Sequence, residues 1–146
     1  LKLSTAKEKD IPYLVKVVCE WLVTMDHIIN EEAITDDLLW HLKNGVVIFA
    51  KRNNELVGLM SGKVTYHFWV DQKIAHENWF FVRPTHQKTG VGKAMEALFS
   101  AWAKAMGSKR IIMTPNSFGS WHPVRAKEAF ERYGYKVHGY QMMKDI

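Results

Sequence analysis

Apolar positions along the chain repeat first at helical spacing, then in short unbroken runs, then at helical spacing again, and these changes divide it into elements. Leu1 to Thr5 has the length of an edge strand. Asp10, Ile11 and Pro12 form a helix entry, because aspartate can accept from free amides and proline fits a first turn. Leu14, Val17, Val18, Trp21, Leu22 and Met25 then follow three or four residues apart, tracing one helical face. A second helix is expected over Glu31 to Lys43, with acidic residues early and a left-handed exit at Asn44-Gly45.

Val46 to Ala50 is a short apolar run rich in branched side chains and predicts a buried strand. Arg52 to Glu55 reads as a turn. Leu56 to Phe68 and Lys73 to Val82 complete an antiparallel meander. Val91, Ala94, Met95, Leu98, Trp102 and Met106 return to helical spacing within Gly90 to Met106, and Gly107 closes that helix. Arg110 to Thr114 predicts a strand. A loop with Pro115, Gly119 and Pro123 leads to a helix over Val124 to Tyr133 stopped by Gly134, and the tail from Tyr135 to Ile146 is expected to be extended.

With 47% hydrophobic and 24% charged residues in 146, and no repeats or linker-like stretches, the chain is expected to form one globular domain over 1–146. Six Trp, seven Phe and five Tyr supply a large aromatic core. The net charge of +5 suits an anionic partner. Lys and Arg are dispersed, however, and neither zinc-finger nor basic-zipper spacing occurs, so the nucleic-acid signal is modest and a phosphate-bearing nucleotide cofactor explains the surplus equally well. The single Cys19 cannot form an internal disulfide, so a reducing, cytoplasmic setting is expected. No stretch approaches the roughly 18 apolar residues of a membrane span. Because the chain starts at Leu1, a leader removed before it stays open.

The densest chemical signal is Val82-Arg83-Pro84-Thr85-His86-Gln87-Lys88-Thr89-Gly90-Val91-Gly92-Lys93, a glycine-bearing turn between an expected strand and an expected helix. Such a turn aims backbone amides and the positive end of a helix dipole at an anion. A Walker loop would need Gly at Gln87 and Ser or Thr at Ala94, and a dinucleotide fingerprint would need Gly at Met95. Neither fits. The order Val82, Pro84, Gln87, Gly90, Gly92 instead resembles the acyl-CoA signature of the GNAT acetyltransferases. The resemblance extends over nearly the whole chain, to Ala126, Ala129 and Phe130 through Tyr135, similar to that family's late helix ending in a glycine and an aromatic.

The resemblance implies an α/β (α+β) fold of GNAT type, a mixed, mostly antiparallel twisted sheet of about six to seven strands flanked by about four helices, ordered β-α-α-β-β-β-α-β-α-β with a further strand optional. It implies transfer of an acetyl group from acetyl-CoA to a primary amine, with the amides from Gln87 through Lys88, Thr89, Gly90 and Val91 to Gly92 on the pyrophosphate. Phe80, Phe81 and Val82 would pair with the pantetheine arm, and Lys88 and Lys93 would add charge. The family's general base commonly lies an even number of residues before Val82, which makes His76 the first candidate. Glu77 has the opposite parity and is the second, because a bulge would reverse the count. Both also fit ordinary residues at a strand end.

Two departures from the family pattern bear on the chemistry. Phe130 stands where many members carry a proton-donating Tyr, leaving Tyr133 as a substitute donor or water in its place. The loop from Asn116 to Pro123 is longer than usual, and its Trp121 and His122 are candidates for the acceptor pocket, against a role as simple loop anchors. Trp21, Met25, Asp26 and His27 near the junction of the first two helices are further candidates, although Trp21 and Met25 also fit the core. The histidines show no metal-ligand spacing, so no metal is expected. The acceptor is a small-molecule or protein amine that the sequence leaves unidentified, and a homodimer through sheet edges is compatible with such a domain. The non-enzymatic alternative is a catalytically weak CoA-binding or regulatory module on the same fold.

Overall fold

In the computed structural model the described residues are 1–24, 28–114, 123–139, 142 and 144–146. One sheet runs in the spatial order β1 (Lys2–Thr5), β2 (Gly45–Arg52), β3 (Glu55–His67), β4 (Gln72–Val82) and β5 (Arg110–Ile112). The first three pairings are antiparallel, and β5 joins β4 in parallel. Four α-helices, α1 (Ile11–Val23), α2 (Glu31–Asn44), α3 (Val91–Ala105) and α4 (Pro123–Arg132), and two 3-10 turns, Glu8–Asp10 and Pro84–His86, complete the described elements.

The unbroken apolar run of β2 follows from burial on both faces of the sheet. Val47 and Phe49 point to one side, where Leu14, Val18, Trp21 and Leu22 of α1 and Ile34 and Leu38 of α2 cover them. Val46, Ile48 and Ala50 point to the other, against Val91, Met95, Phe99 and Ala103 of α3. A central strand covered by helices on both faces loses the polar alternation of a half-exposed one. The β2–β3 turn has Asn53 and Asn54 at φ 50 and 62, the left-handed pair that a two-residue hairpin loop needs to match strand twist.

Three local expectations change. Asp10 does not cap α1; its carboxylate accepts from the Lys7 amide at 2.8 Å and closes a short 3-10 turn over Glu8–Asp10 ahead of the helix. The left-handed exit expected at Asn44-Gly45 is also absent: Asn44 ends α2, while Gly45 takes φ −155 and ψ −128 and opens β2. A Cβ on Gly45 would stand 2.0 Å from the Gly62 carbonyl oxygen, so close strand approach, not turn conformation, calls for glycine there. Finally, the described residues form five strands where about six to seven were expected; β5 stops at Ile112, and 135–139 follow α4 without joining the sheet.

Candidate active site

The site is organised by an interruption in β4. Trp79 pairs with Ser61 and Glu77 with Gly62, so Asn78 is an extra residue with no partner opposite it, a β-bulge. Beyond the bulge, Phe80 and Val82 face α3, while Trp79 and Phe81 face α1 and α2. Before it, Ala75 already belongs to the α3 side, and Glu77, two residues on, shares that side. His76 therefore faces α2, next to Lys63, whose ammonium lies 5.3 Å from the Trp40 ring. The parity count that grouped His76 with Val82 and Phe80 is overturned for this reason, and Glu77 takes the place on their face.

Glu77 is partly buried, and one carboxylate oxygen accepts from the Thr114 amide at 3.0 Å. Burial pushes its pKa from 4.5 up to about 7, with the Thr114 bond acting weakly in the opposite direction. His76 stacks on His67 with ring centres 5.1 Å apart and their Nε2 atoms 3.0 Å apart. Burial, then the charges of His67 and Lys63, lowers the His76 pKa below its ordinary 6.5, so the ring is neutral at pH 7.

β5 pairs with β4 from Ile74 to His76, and among the described residues no strand pairs with that edge of β4 beyond His76. Arg83 donates to the Val57 carbonyl at 2.9 Å, which sets the alternation: Phe81 and Trp79 direct their backbone groups to β3, and Phe80 and Val82 direct theirs to that edge. The Gln87 side chain donates to the Val82 carbonyl at 3.3 Å, tying the following turn to the strand. In that turn Lys88 and Gly90 take φ 62 and 86, and Thr89 is fixed by a 2.5 Å bond to the His86 carbonyl. The first bond of α3 runs from Ala94 to the Gly90 carbonyl at 3.0 Å, so the amides of Val91, Gly92 and Lys93 precede the helical ladder.

These features fit a diphosphate. A Cβ on Gly90 would meet nothing within 4 Å, so the space before the helix end is open. Val91 sends its side chain into the core, while Lys88, Thr89 and Lys93 remain exposed around the turn. A Cβ on Gly92 would stand 3.3 Å from the Phe80 ring and 3.7 Å from the Tyr133 hydroxyl, which places glycine where α3 crosses β4.

Phe130 is buried, 5.4 Å from Phe80 between ring centres. Tyr133 thus lies beside the start of α3, its pKa raised chiefly by burial. Trp121 and His122 lie outside the described residues, as do Met25, Asp26 and His27. Trp21 is a core residue, stacked on Phe81 at 4.1 Å.

The sequence reading passed over two carboxylates in this region. Glu96 is buried on α3 and accepts from Ser100 at 2.6 Å and from the Tyr135 hydroxyl at 2.9 Å. Burial, then this bond, raises the Tyr135 pKa far above its ordinary value. On the opposite face, Asp37 of α2 accepts from Asn78 and Trp79. A carboxylate next to apolar Met95 on a core-facing helical stripe was a legible sign for Glu96; nothing in the sequence marks Asp37. Among the described residues no group of three or more His, Cys, Asp or Glu side chains is placed to hold a metal, and no helix is long and apolar enough to cross a membrane.

The fold has many solved counterparts. A predicted acetyltransferase from Clostridium acetobutylicum, solved with acetyl-CoA, is 16% identical with a TM-score of 0.77, covering 99% of this chain and 95% of its own. Glucosamine-6-phosphate N-acetyltransferase from Arabidopsis thaliana is 17% identical with a TM-score of 0.75, covering 99% and 97%. A ribosomal-protein-alanine N-acetyltransferase from Brucella melitensis biovar Abortus 2308 is 11% identical with a TM-score of 0.76 and matches over the full length of both chains. At these identities the likeness is one of fold. No curated relative matches the sequence. The family model for acetyltransferases of the GNAT family matches residues 15–135, spanning both the bulged strand and the phosphate turn. The chain belongs to the GNAT family, whose members are acyl-CoA-dependent N-acetyltransferases.

Proposed function

We propose that this chain transfers an acetyl group from acetyl-CoA to a primary amine by direct attack in a ternary complex, with Glu77 as general base. The observation that carries the reading is the edge of β4 left without a strand partner beyond His76 among the described residues, with an open turn at one end and a carboxylate of near-neutral pKa at the other. Acetyl-CoA is held by its diphosphate on the amides of residues 88–93, the Gln87 amide being bound to the Pro84 carbonyl at 3.3 Å, and by its pantetheine arm along the backbone edge of Phe80 and Val82, where the Gln87 side chain now occupies the Val82 carbonyl. The ionised Glu77 takes a proton from the acceptor ammonium. The neutral nitrogen attacks the thioester carbonyl, the new C–N bond forms and the C–S bond breaks; CoA leaves as a thiolate that takes up one proton, and the nitrogen gives up its second proton to restore the group that supplied it. Tyr133, or water, is the proton source, since Phe130 has no proton to give.

Acceptors named for the structural relatives include glucosamine 6-phosphate, ribosomal-protein alanine and aminoglycosides, so a small molecule or a protein amine is equally in keeping with the fold. Trp121 and His122 are assigned to the acceptor side of one domain over 1–146 in a cytoplasmic setting. Isothermal titration with acetyl-CoA tests the first step, and absence of sub-millimolar binding rejects the reading. The buried Phe130 favours a second reading, a CoA-binding module without turnover. Thiol release with kanamycin, glucosamine 6-phosphate, spermidine and a free-amino-terminal peptide separates the two: binding without release of thiol supports the module.

A further inference from the structure

The Asp37 carboxylate accepts from Asn78 Nδ2 at 3.2 and 3.0 Å and from Trp79 Nε1 at 2.8 Å. Adjacent residues of a regular strand point to opposite faces, so one carboxylate on α2 cannot reach both. It reaches both here only because the extra residue at Asn78 turns the pair to the same side. Without the bulge, residues 72–77 would slip by one position relative to 79–82, carrying Glu77 to the α2 face and His76 to the α3 face. The bonds to Asp37 are thus available to one register and withheld from the other.

We propose that Asp37 is a positioning residue that holds the β4 bulge and thereby keeps the Glu77 carboxylate on the face shared with Phe80 and Val82. The inference rests on the reading of Glu77 as base, but its geometric content stands apart from it. The buried His41, one turn on, places Nδ1 2.9 Å from the Asp37 backbone carbonyl and 3.4 Å from its carboxylate. Burial acts to raise the Asp37 pKa, but the hydrogen bonds from His41 and Trp79, the His41 charge and the Asn78 bond outweigh it, and the carboxyl stays below its ordinary range. An ionised acceptor makes stronger bonds to these donors than a neutral one would.

The test follows the Glu77 carboxyl by carbon-13 NMR in protein labelled at glutamate, with the resonance assigned by its loss in Glu77→Gln. The groups that bear on this titration are the Thr114 amide from beyond β5 and, from behind α4, Tyr135 with its partner Glu96. In the parent protein the inflection is expected near 7. In Asp37→Ala it should move to about 6 or lower as Glu77 leaves its buried place, while CoA affinity by calorimetry stays within about threefold, because the phosphate turn lies beyond the bulge. A folded Asp37→Ala that titrates like the parent overturns the proposal. If Asp37→Ala does not fold, Asn78→Ala at an exposed position carries the test: it removes two of the contacts, and an unmoved inflection again refutes the clamp. Retention of thiol release by Glu77→Gln with the amine panel would dismiss Glu77 as base and leave the clamp standing. Loss of release in Glu77→Gln with an unmoved titration in Asp37→Ala would do the reverse.

Discussion

Replacing Glu77 by Gln should make the protein more stable and less active, and only above a defined pH. Burial raises the Glu77 pKa from 4.5 to about 7. Between those values the folded chain keeps a proton that the unfolded chain has released, so the group's contribution to stability falls as pH rises through this window and is flat above it. The full gap corresponds to about 3 kcal/mol at one pKa unit per 1.4 kcal/mol, and residual solvent contact reduces the working figure to about 2–3 kcal/mol. Glutamine stays neutral and can still accept from the Thr114 amide through its carbonyl oxygen. At about pH 8.5 the variant should melt about 4–10 °C above the parent, and at about pH 4.5 the two should nearly coincide. Over the same range kcat/KM of the parent should rise with unit slope to a plateau above about pH 7, and the variant should lose about 100- to 10,000-fold at the plateau. Melting curves by scanning fluorimetry and thiol release on one acceptor supply both readouts. A melting difference equal at both pH values would refute the raised pKa, and an unchanged acid limb in the variant would refute the base.

The other predictions probe the remaining parts of the site. Gly90→Val puts a branched side chain at φ 86 in the turn and should weaken CoA binding by about tenfold or more by calorimetry, without lowering the melting point by more than a few degrees. Phe99→Ala empties the fully buried contact of α3 with Gly62 and should cost about 3–5 kcal/mol in urea denaturation. His76→Asn should leave the acid limb near pH 7 in place, since His76 faces α2; a limb that disappears with the imidazole would transfer the base role to it. Trp121→Ala should raise the acceptor KM and leave that for acetyl-CoA unchanged, and equal effects on both would refute its place in the acceptor pocket.

Helices α1 and α3 were legible because one-sided burial imposes a period that large apolar side chains mark, and β2 because burial on both faces leaves an unbroken apolar run. The phosphate turn was legible for a different reason: the motif names the positions whose backbone must approach an anion, and Gly90 at φ 86 meets that need. What escaped reading was geometry set by another element. Whether Gly45 ends a helix or lets a strand approach depends on Gly62, 17 positions away, and the two uses of glycine look alike in a linear chain. Asp10 satisfies an amide before it instead of those after it because a 3-10 turn intervenes. The face of Glu77 depends on a single extra residue at Asn78, which no hydropathy pattern records.

That extra residue also explains why two candidate bases can neighbour each other without competing. On an uninterrupted strand His76 would share the face of Phe80 and Val82, with Glu77 turned toward Trp40 and Lys63. The bulge exchanges them, leaving His76 against His67 on the α2 side and an acid that titrates near neutrality on the α3 side. The two environments then diverge chemically. On the α2 side, burial and the nearby charges of His67 and Lys63 disfavour a further proton on His76. On the α3 side, burial disfavours a negative charge on Glu77, so its proton is released only near the pH at which an amine must be made ready for attack. A substitution that restored regular pairing in β4 would therefore do more than displace one carboxylate: it would carry Glu77 to the α2 side and His76 to the α3 side, separating His76 from His67 on β3.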